Sequence, residues 1–294
     1  MYKLNEIHEK HYSSVDEIFE YIYSELVTRE YDYGFRGHSD SEWKLEPTII
    51  RYIDTMENNA NIKKYYFGEQ QELTALVIKK LHTNFKNNLI ANNDLPQDIV
   101  EKIDLWQYGQ HFGLPSPLLD WTYSPYIALF FALASPLCKE RCLWVLNLGM
   151  VRHLNHEIVD TIRPKFKEKI SPESFLNEQF PTMEIISELN ENNRRISFQQ
   201  GFFTKHEYYR SLEVWLNRIT PELNYHHSNQ LVLEKHIFRC NDDQRTKALD
   251  KLDKMNINHR ILFPDIFGSV QHAIDETSRS IHNPRDKNYH FSQL

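Results

Sequence analysis

The segment at residues 110–132, QHFGLPSPLLDWTYSPYIALFFA, constrains the fold most, because polar residues interrupt a run that otherwise forms core. Leu118 and Leu119 lead directly into Asp120, and Pro125 opens an apolar, helix-like run over residues 126–134. This pattern predicts a short buried strand that ends in a polar turn at the start of a helix. Such a turn commonly aims side chains and free N–H groups into a pocket.

The composition is that of a folded globular chain. Of the 294 residues, 40% are hydrophobic and 13% aromatic, which is enough to bury a substantial core. Acidic residues outnumber basic ones by 41 to 34, and the formal charge is -7. This balance argues against a protein that coats nucleic acid electrostatically, but it leaves room for a local basic groove.

Membrane insertion, secretion and metal binding are not predicted. No run approaches the roughly 18 apolar residues that a membrane span needs, and the first residues do not resemble a secretory signal. Cys138 and Cys142 would suit a metal only with further ligands, which the neighbouring sequence does not supply. With Cys240 the cysteines are odd in number, so we expect a cytoplasmic, reducing environment and no bound metal.

Hydrophobic periodicity predicts a mixture of helices and short strands. Helices are predicted at residues 14–29, 69–90, 97–108 and 150–158, with a last one that ends near Ile281, and strands at residues 31–36, 142–148, 196–204 and 230–239. Asn241 followed by Gln244 indicates a helix cap. No repeat or linker divides the chain, so we expect one α+β domain over residues 1–294, with a mainly antiparallel central sheet and flanking helices. The tail after Asn283 is polar, and we expect it to fray.

Arg36 is the first candidate for ligand binding. It stands at the predicted end of a strand between an aromatic residue and Gly37, whose lack of a side chain would let a ligand approach the backbone. Its planar guanidinium suits a phosphate, because it can make two parallel hydrogen bonds to a pair of anionic oxygens. The alternative is a buried arginine that pairs with a carboxylate such as Asp120 and holds the core together.

Asp120 and Thr122 form the second candidate. Because they alternate with Trp121, a strand would put the carboxylate and the hydroxyl on one face and the indole on the other. Ser124 and Pro125 suit the cap and first turn of the next helix, whose N–H groups could face an anion. The alternative is that Asp120 or Thr122 only caps this helix.

His111 is the third candidate. Together with Gln110 it precedes the turn-prone residues 113–115, which can hold an imidazole in a fixed direction near the Asp120 segment. The alternative is a structural histidine. Trp43 and Pro47 are predicted to be ordinary packing residues.

Several separated motifs resemble the FRG domain family, which is named after the tripeptide at residues 35–37. The others are WKLEPTIIR at residues 43–51, the segment at residues 110–132, a Gln-Gly-Phe element at residues 200–202 and LFPD at residues 262–265. They occur in the family's order, which makes the resemblance specific. It implies a domain core over roughly residues 31–274.

A weaker resemblance is to NAD-dependent ADP-ribosyltransferases of the arginine-serine-glutamate type. Arg36 matches the arginine that holds the pyrophosphate, and the segment from Asp120 into the next helix is similar to the family's Ser-Thr-Ser strand and helix, although most of the serines are absent. Glu207, Glu213 and Glu234 lack the spacing of the family's late glutamate, so Asp120 is the substitute carboxylate.

The resemblances imply an NAD-consuming enzyme, an ADP-ribosyltransferase or NAD glycohydrolase that acts on a protein or nucleic-acid acceptor, with a role in bacterial defence against phage or in a stress response. NAD is then the substrate and no metal is needed. The expected catalytic residues are Asp120, His111 and Thr122, and the expected cofactor-binding residues are Arg36, Gly37, Gln110, Trp121, Ser124 and Gln200. The alternative is a non-catalytic module that binds a nucleotide, nucleic acid or protein through the same pocket. The sequence does not define the oligomeric state.

Overall fold

A mixed seven-stranded sheet forms the centre of the structure. The structure is a computed structural model that describes residues 2–29, 32–57, 70–136, 139–170, 177, 179–187, 194–206, 211–223 and 227–282. The strands are β1 (Tyr2–Lys3), β2 (Ile7–Tyr12), β3 (Tyr33–His38), β4 (Leu118–Thr122), β5 (Glu140–Asn147), β6 (Glu184–Ile186), β7 (Gly201–Lys205), β8 (His227–Ser228) and β9 (Leu233–Arg239).

Helices of very different lengths flank the sheet. They are α1 (Val15–Tyr21), α2 (Thr48–Glu57), α3 (Gln70–Ala91), α4 (Gln97–Val100), α5 (Leu105–His111), α6 (Pro125–Leu133), α7 (Leu148–Glu157), α8 (Arg163–Phe166), α9 (Arg194–Phe198), α10 (Leu212–Ile219), α11 (Asp242–Lys254), α12 (His259–Leu262) and α13 (Ile266–His282). Single π-helical turns, Ile22–Leu26 and Ile158–Ile162, extend α1 and α7.

The strand order of the large sheet is β2-β9-β5-β3-β4-β7-β6. Every neighbouring pair is antiparallel except β2 and β9, which run parallel. Strands β1 and β8 form a separate antiparallel pair. The predicted α+β fold with a mainly antiparallel sheet is therefore confirmed, while the parallel edge strand was not foreseen.

Helices cover both faces of the sheet. On one face, α1, α6 and α11 pack against apolar side chains of the central strands such as Phe35, Val145 and Phe238. On the other face, α7 and α10 pack against Trp144 and Phe202. This double cover makes the central strands almost wholly buried, and β5 is a nearly continuous buried run.

The strand-turn-helix arrangement predicted for residues 118–134 is confirmed. Leu118–Thr122 forms β4, in which Asp120 alone is exposed. The Ser124 hydroxyl accepts the N–H of Ile127 at 3.3 Å, and Pro125 occupies the first turn of α6, where its missing N–H has no consequence. The capping box of Asn241 and Gln244 is also present at the start of α11.

Two predicted elements differ from the structure. The helix predicted at residues 97–108 is broken, because the Asp104 carboxylate accepts the N–H groups of Trp106 and Gln107 and starts a second helix. The strand predicted at residues 196–204 begins only at Gly201, and the residues before it form α9. Between them Gln200 has a positive φ of 47°, which turns the chain from helix to strand.

The described cysteines are buried in the core. Burial raises the pKa of the Cys142 thiol to about 12 and also raises the pKa of Cys240, so neither is a reactive thiolate. Cys138 and the tail after Asn283 lie outside the described residues. In the described ranges no His, Cys, Asp and Glu side chains gather in a group that could hold a metal.

The structure has no membrane-spanning helix over the ranges it describes, since none there is both long and apolar enough.

Candidate functional site

A cavity opens where strands β3 and β4 diverge. Strand β3 pairs with β5 along its whole length, whereas between β3 and β4, both fully described, only Phe35 and Thr122 are in register. Beyond that pair lies a cavity of about 240 Å³, here called the Arg36 cavity. Its charged lining residues are Arg36, Lys44, Glu46, Arg51 and Asp120.

Arg36 and Asp120 meet across this cavity. Nη1 of Arg36 lies 2.7 Å from Oδ1 of Asp120 and donates to the Asp120 backbone carbonyl at 2.6 Å. The guanidinium thus fills part of the gap that the missing strand pairing leaves. The Arg36 side chain is 20% exposed and that of Asp120 58% exposed, so the ion pair is open to solvent rather than sealed in the core. Nη2 of Arg36 has no hydrogen-bond partner among the described residues.

His38 fixes the direction of the Arg36 side chain. Its Nε2 accepts a hydrogen bond from Nε of Arg36 at 2.9 Å, so Nδ1 carries the proton and donates to the carbonyl of Trp43 at 3.2 Å. Burial, and then the charge of Arg36, lower the pKa of His38 to about 3. His38 is therefore neutral at physiological pH and acts as an acceptor that orients Arg36.

Asp120 is ionised in this setting. Desolvation favours a higher pKa, but the charge and hydrogen bond of Arg36 outweigh it and hold the pKa of Asp120 below its ordinary value. The side-chain amide of Gln110 approaches Oδ1 of Asp120 at 3.4 Å and also accepts from the Ser116 hydroxyl. The structure thus brings Arg36, Asp120 and Gln110 together, as the sequence predicts.

Thr122 and Trp121 hold the end of β4 in place. The Thr122 hydroxyl is buried, donates to the carbonyl of Gln199 at 2.6 Å and accepts the N–H of Ser124 at 3.1 Å. The indole of Trp121 donates to Thr204 at 3.0 Å and packs in the core on the opposite face from Asp120. Because its hydroxyl donates to one backbone group and accepts from another, Thr122 supports the turn, and its catalytic role stays a prediction.

Gly37 does not leave room for a ligand as predicted. A Cβ at this position would lie 1.8 Å from the carbonyl oxygen of Ala128 and 2.6 Å from the backbone nitrogen of Ala132, because α6 crosses β3 in direct backbone contact. The missing side chain therefore serves helix-strand packing.

The structure separates His111 from Asp120. The imidazole lies 3.6 Å from Oδ2 of Asp265 and lines a different cavity that also includes Arg195 and Phe112. The reason is that Gln110 and His111 are consecutive residues of α5, so their side chains point in different directions around the helix axis, and Gln110 is the one that faces Asp120.

Ser124 and Gln200 also lie outside the Arg36 cavity. Together they line a cavity of about 260 Å³ beside the amino-terminal end of α6. Five of the six expected cofactor-binding residues are thus divided between two cavities, both of which Phe35 lines, and Gln110 lines neither of them.

The sequence reasoning missed the rim of the Arg36 cavity. Pro47 is buried as predicted, but Trp43 is 52% exposed and its ring lies edge-on to His38 at 6.0 Å. Lys44 and Arg51 are exposed beside it. All three belong to the WKLEPTIIR segment, and an aromatic residue next to cations was the signal that could have identified them.

Two of the three possible late carboxylates do not line the Arg36 cavity. Glu234 forms an ion pair with Arg29 at 2.5 Å, and Glu213 accepts the N–H of Leu45 at 3.4 Å. Glu207 lies outside the described residues. Glu46 and Asp120 are the carboxylates that line the cavity within the described part of the chain.

Comparison with known proteins identifies one family. The FRG domain model matches residues 31–141, which include every charged lining residue of the Arg36 cavity. A search of curated proteins and a search of solved structures each found no match, so the resemblance to ADP-ribosyltransferases stays a prediction. The segment at residues 31–141, which carries the candidate site, is therefore similar to the FRG domain family.

Proposed function

We propose that the Arg36 cavity binds NAD and that the protein is an ADP-ribosyltransferase that modifies a macromolecular acceptor, in bacterial defence or a stress response. The observation that carries this proposal is the meeting of a guanidinium and an ionised carboxylate in an open cavity. A dinucleotide has a diphosphate and a glycosidic bond, and these need a cation and an anion, respectively, at a short distance from each other.

The cations of the cavity suit the diphosphate. His38 and Asp120 fix Arg36 on its Nε and Nη1 side, which leaves Nη2 for an anionic oxygen. Lys44 and Arg51 on the rim add positive charge, and exposed Trp43 offers a face on which a pyridinium ring can stack.

Asp120 supplies the negative charge that the reaction needs. When the bond between ribose and nicotinamide breaks, nicotinamide leaves with the bonding electron pair and the ribose carbon becomes positively charged. An ionised carboxylate nearby stabilises that charge until a nucleophile of the acceptor, or water, attacks the carbon and loses its proton to solvent. The lowered pKa of Asp120 keeps it ionised at neutral pH.

The second candidate function is non-catalytic binding of a nucleotide through the same cavity. It is favoured by the ion pair itself, because Arg36 already offsets the charge of Asp120 in the ligand-free arrangement. Ligand phosphates would have to draw Arg36 away from Asp120 before the carboxylate could act on the ribose.

The test measures nicotinamide release and ligand-induced stabilisation in parallel. Asp120→Asn should lower nicotinamide release from NAD by about a hundredfold or more, while ADP-ribose still raises the melting temperature. Arg36→Lys should weaken ADP-ribose binding about tenfold to a hundredfold, because an ammonium group cannot bind an anionic oxygen through one nitrogen while two other nitrogens stay bound to His38 and Asp120. Arg239→Lys is the matched control, since Arg239 is 74% exposed and pairs with Glu140 elsewhere.

The outcomes separate the two functions. If ADP-ribose and NAD stabilise the wild-type protein but nicotinamide is never released with protein, DNA or RNA acceptors, the binding module is correct and the transferase is wrong. If neither ligand changes the melting temperature and Arg36→Lys behaves like Arg239→Lys, both functions are wrong.

A further inference from the structure

We propose that the second cavity, at the amino-terminal end of α6, binds the adenine ring of the same dinucleotide. Its aromatic walls are Tyr33, Tyr123 and Tyr126, and it is here called the tyrosine cavity. This inference rests on the proposed function, because it assigns one part of the ligand whose diphosphate lies at Arg36.

The walls of the tyrosine cavity suit an uncharged planar ring. Tyr123 is 40% exposed and stacks on Phe202, with ring centroids 4.6 Å apart and planes 27° apart, so its ring is held at a fixed angle. The ring of Tyr126 packs against that of Phe19, with ring centroids 6.1 Å apart. Rigid tyrosine rings offer a stacking surface at a low entropic cost.

The cavity carries little net charge. Arg29 is its only charged residue among the described lining residues, and Glu234 binds the Arg29 guanidinium through both carboxylate oxygens at 2.5 and 3.2 Å. A phosphate would therefore find no free cation there, whereas a neutral heterocycle needs none. With a volume of about 260 Å³, the cavity can admit a purine ring.

Gln200 gives the cavity a group that can recognise adenine. Its backbone is engaged, with the N–H bound to Ser197 and the carbonyl bound to Tyr123. Its side-chain amide has no hydrogen-bond partner among the described residues. A glutamine amide can both accept from the N6 amino group of adenine and donate to N7, and this bidentate pairing discriminates adenine from other bases.

The two cavities are close enough for one dinucleotide. Thr122 lines the Arg36 cavity, and the next residue, Tyr123, lines the tyrosine cavity. Likewise, Gln199 lines the Arg36 cavity and Gln200 lines the tyrosine cavity. Phe35, the residue before Arg36, lines both cavities and so forms a wall that they share. In a dinucleotide a single ribose separates adenine from the diphosphate, so adjoining cavities suit these two groups.

Calorimetric titration with three ligands tests this assignment. The probes are NAD, nicotinamide hypoxanthine dinucleotide, in which a carbonyl replaces the N6 amino group, and nicotinamide mononucleotide, which lacks the purine together with its ribose and one phosphate. The wild-type protein should bind NAD about tenfold more tightly than either analogue, a difference of about 1.4 kcal/mol.

Two variants locate the discrimination. The substitution Gln200→Asn shortens the side chain by one methylene group, and asparagine tolerates the positive φ at this position. This variant should bind NAD and the hypoxanthine analogue equally. Tyr126→Ala should weaken both dinucleotides about tenfold and leave the mononucleotide unchanged. Tyr23→Ala is the control, because Tyr23 is 74% exposed and does not line the cavity.

The results distinguish failure of this inference from failure of the proposed function. If NAD binding depends on Arg36 but Gln200→Asn and Tyr126→Ala both match Tyr23→Ala, the adenine assignment is wrong and the proposed function survives. If the variants weaken the mononucleotide as much as NAD, the tyrosine cavity is not an adenine site. If no nucleotide binds to the wild-type protein, both are wrong.

Discussion

At the scale of single residues, Arg36 is prepared for a ligand by neighbours that hold its side chain from one side. Asp120 and the acceptor nitrogen of His38 bind Nη1 and Nε, and the guanidinium cannot rotate without the loss of both contacts. The orientation depends on His38 staying neutral, since an imidazolium has no acceptor nitrogen. Burial and the adjacent arginine ensure this over most of the pH range.

This arrangement makes the stability of the protein depend on the protonation of His38. The unfolded chain binds a proton at His38 near pH 6.5, whereas the folded chain does so only near pH 3. Stability is therefore full above pH 6.5 and falls as the pH is lowered through this window. The variant His38→Gln keeps an acceptor for Arg36 but has no group that titrates in this window. Between pH 6 and 5 the unfolding free energy of the variant should therefore fall less steeply than that of the wild type, and the two slopes should differ by up to about 1.4 kcal/mol per pH unit.

Urea unfolding at pH 7, 6 and 5 measures these slopes. His156→Gln is the control, because His156 is exposed on α7. Equal slopes for His38→Gln and the wild type would show that His38 is not buried in its neutral form.

The sequence predicted the pair at the centre of the site but not the residues around it. Arg36 and Asp120 could be identified because each is a charged residue in an otherwise apolar stretch, although β3 continues for two residues beyond the strand end that was predicted at Arg36. The roles of His38 and Trp43 depend on how a loop folds back over β3, and no local pattern encodes that. His111 was assigned to the wrong neighbours for the same reason, since its distance in sequence from Asp120 does not fix its direction in space.

At the scale of elements, the crossing of β3 and α6 determines where the cavity lies. The backbone of α6 touches β3 at Gly37, and this close contact sets the helix against the same strand that carries Arg36. A glycine in a strand indicates that another group approaches the backbone closely. The sequence does not indicate whether that group is a ligand or a helix. Short elements were also hard to predict, because α9 has too few residues for a helical period to be distinguished from strand alternation.

A methyl group at Gly37 should therefore damage the packing of α6 against β3. Gly37→Ala places a Cβ against the backbone of α6, which cannot move like a flexible side chain, and we expect a loss of about 2 kcal/mol or more in unfolding free energy. Gly201→Ala is the matched control in β7, two strands away from β3, where the added Cβ would meet atoms at an ordinary 3.4–3.5 Å. Chemical denaturation measures the unfolding free energy of both variants. Equal values would mean that the contact between α6 and β3 leaves room for a methyl group at Gly37.

At the scale of the whole molecule, a buried polar network joins the amino-terminal segment to the sheet. Glu234 in β9 binds Arg29, which follows α1, and contacts His236 at 3.4 Å. His236 in turn lies 3.0 Å from the hydroxyl of Tyr12 in the parallel edge strand β2. Strand β2 was not predicted, because half of its side chains are exposed and its polar residues do not alternate with apolar ones. Its position is instead fixed by backbone pairing with β9 and by the network at its end.

Removal of the charge of Glu234 should loosen this junction. Burial opposes ionisation, but hydrogen bonds from His236 and Arg29 and the charge of Arg29 lower the pKa of Glu234 to about 2. Glu234→Gln leaves Arg29 partly buried without its counter-charge, which typically costs about 3 kcal/mol. Because the pKa of the folded state is the lower one, the stabilisation by Glu234 is present above about pH 4.5 and disappears as the pH falls toward 2.

Glu9→Gln provides the comparison, because Glu9 pairs with Lys235 at 3.2 Å between the same two strands but is 47% exposed, and such pairs contribute less than about 1 kcal/mol. Urea unfolding at pH 7, 5, 4 and 3 should show a large stability gap between wild type and Glu234→Gln at the higher pH values that narrows below pH 4.5. A gap no larger than that of Glu9→Gln at pH 7 would mean that the edge strand is held by backbone pairing alone. A large gap that stayed constant down to pH 3 would show that Glu234 acts through packing rather than through its charge.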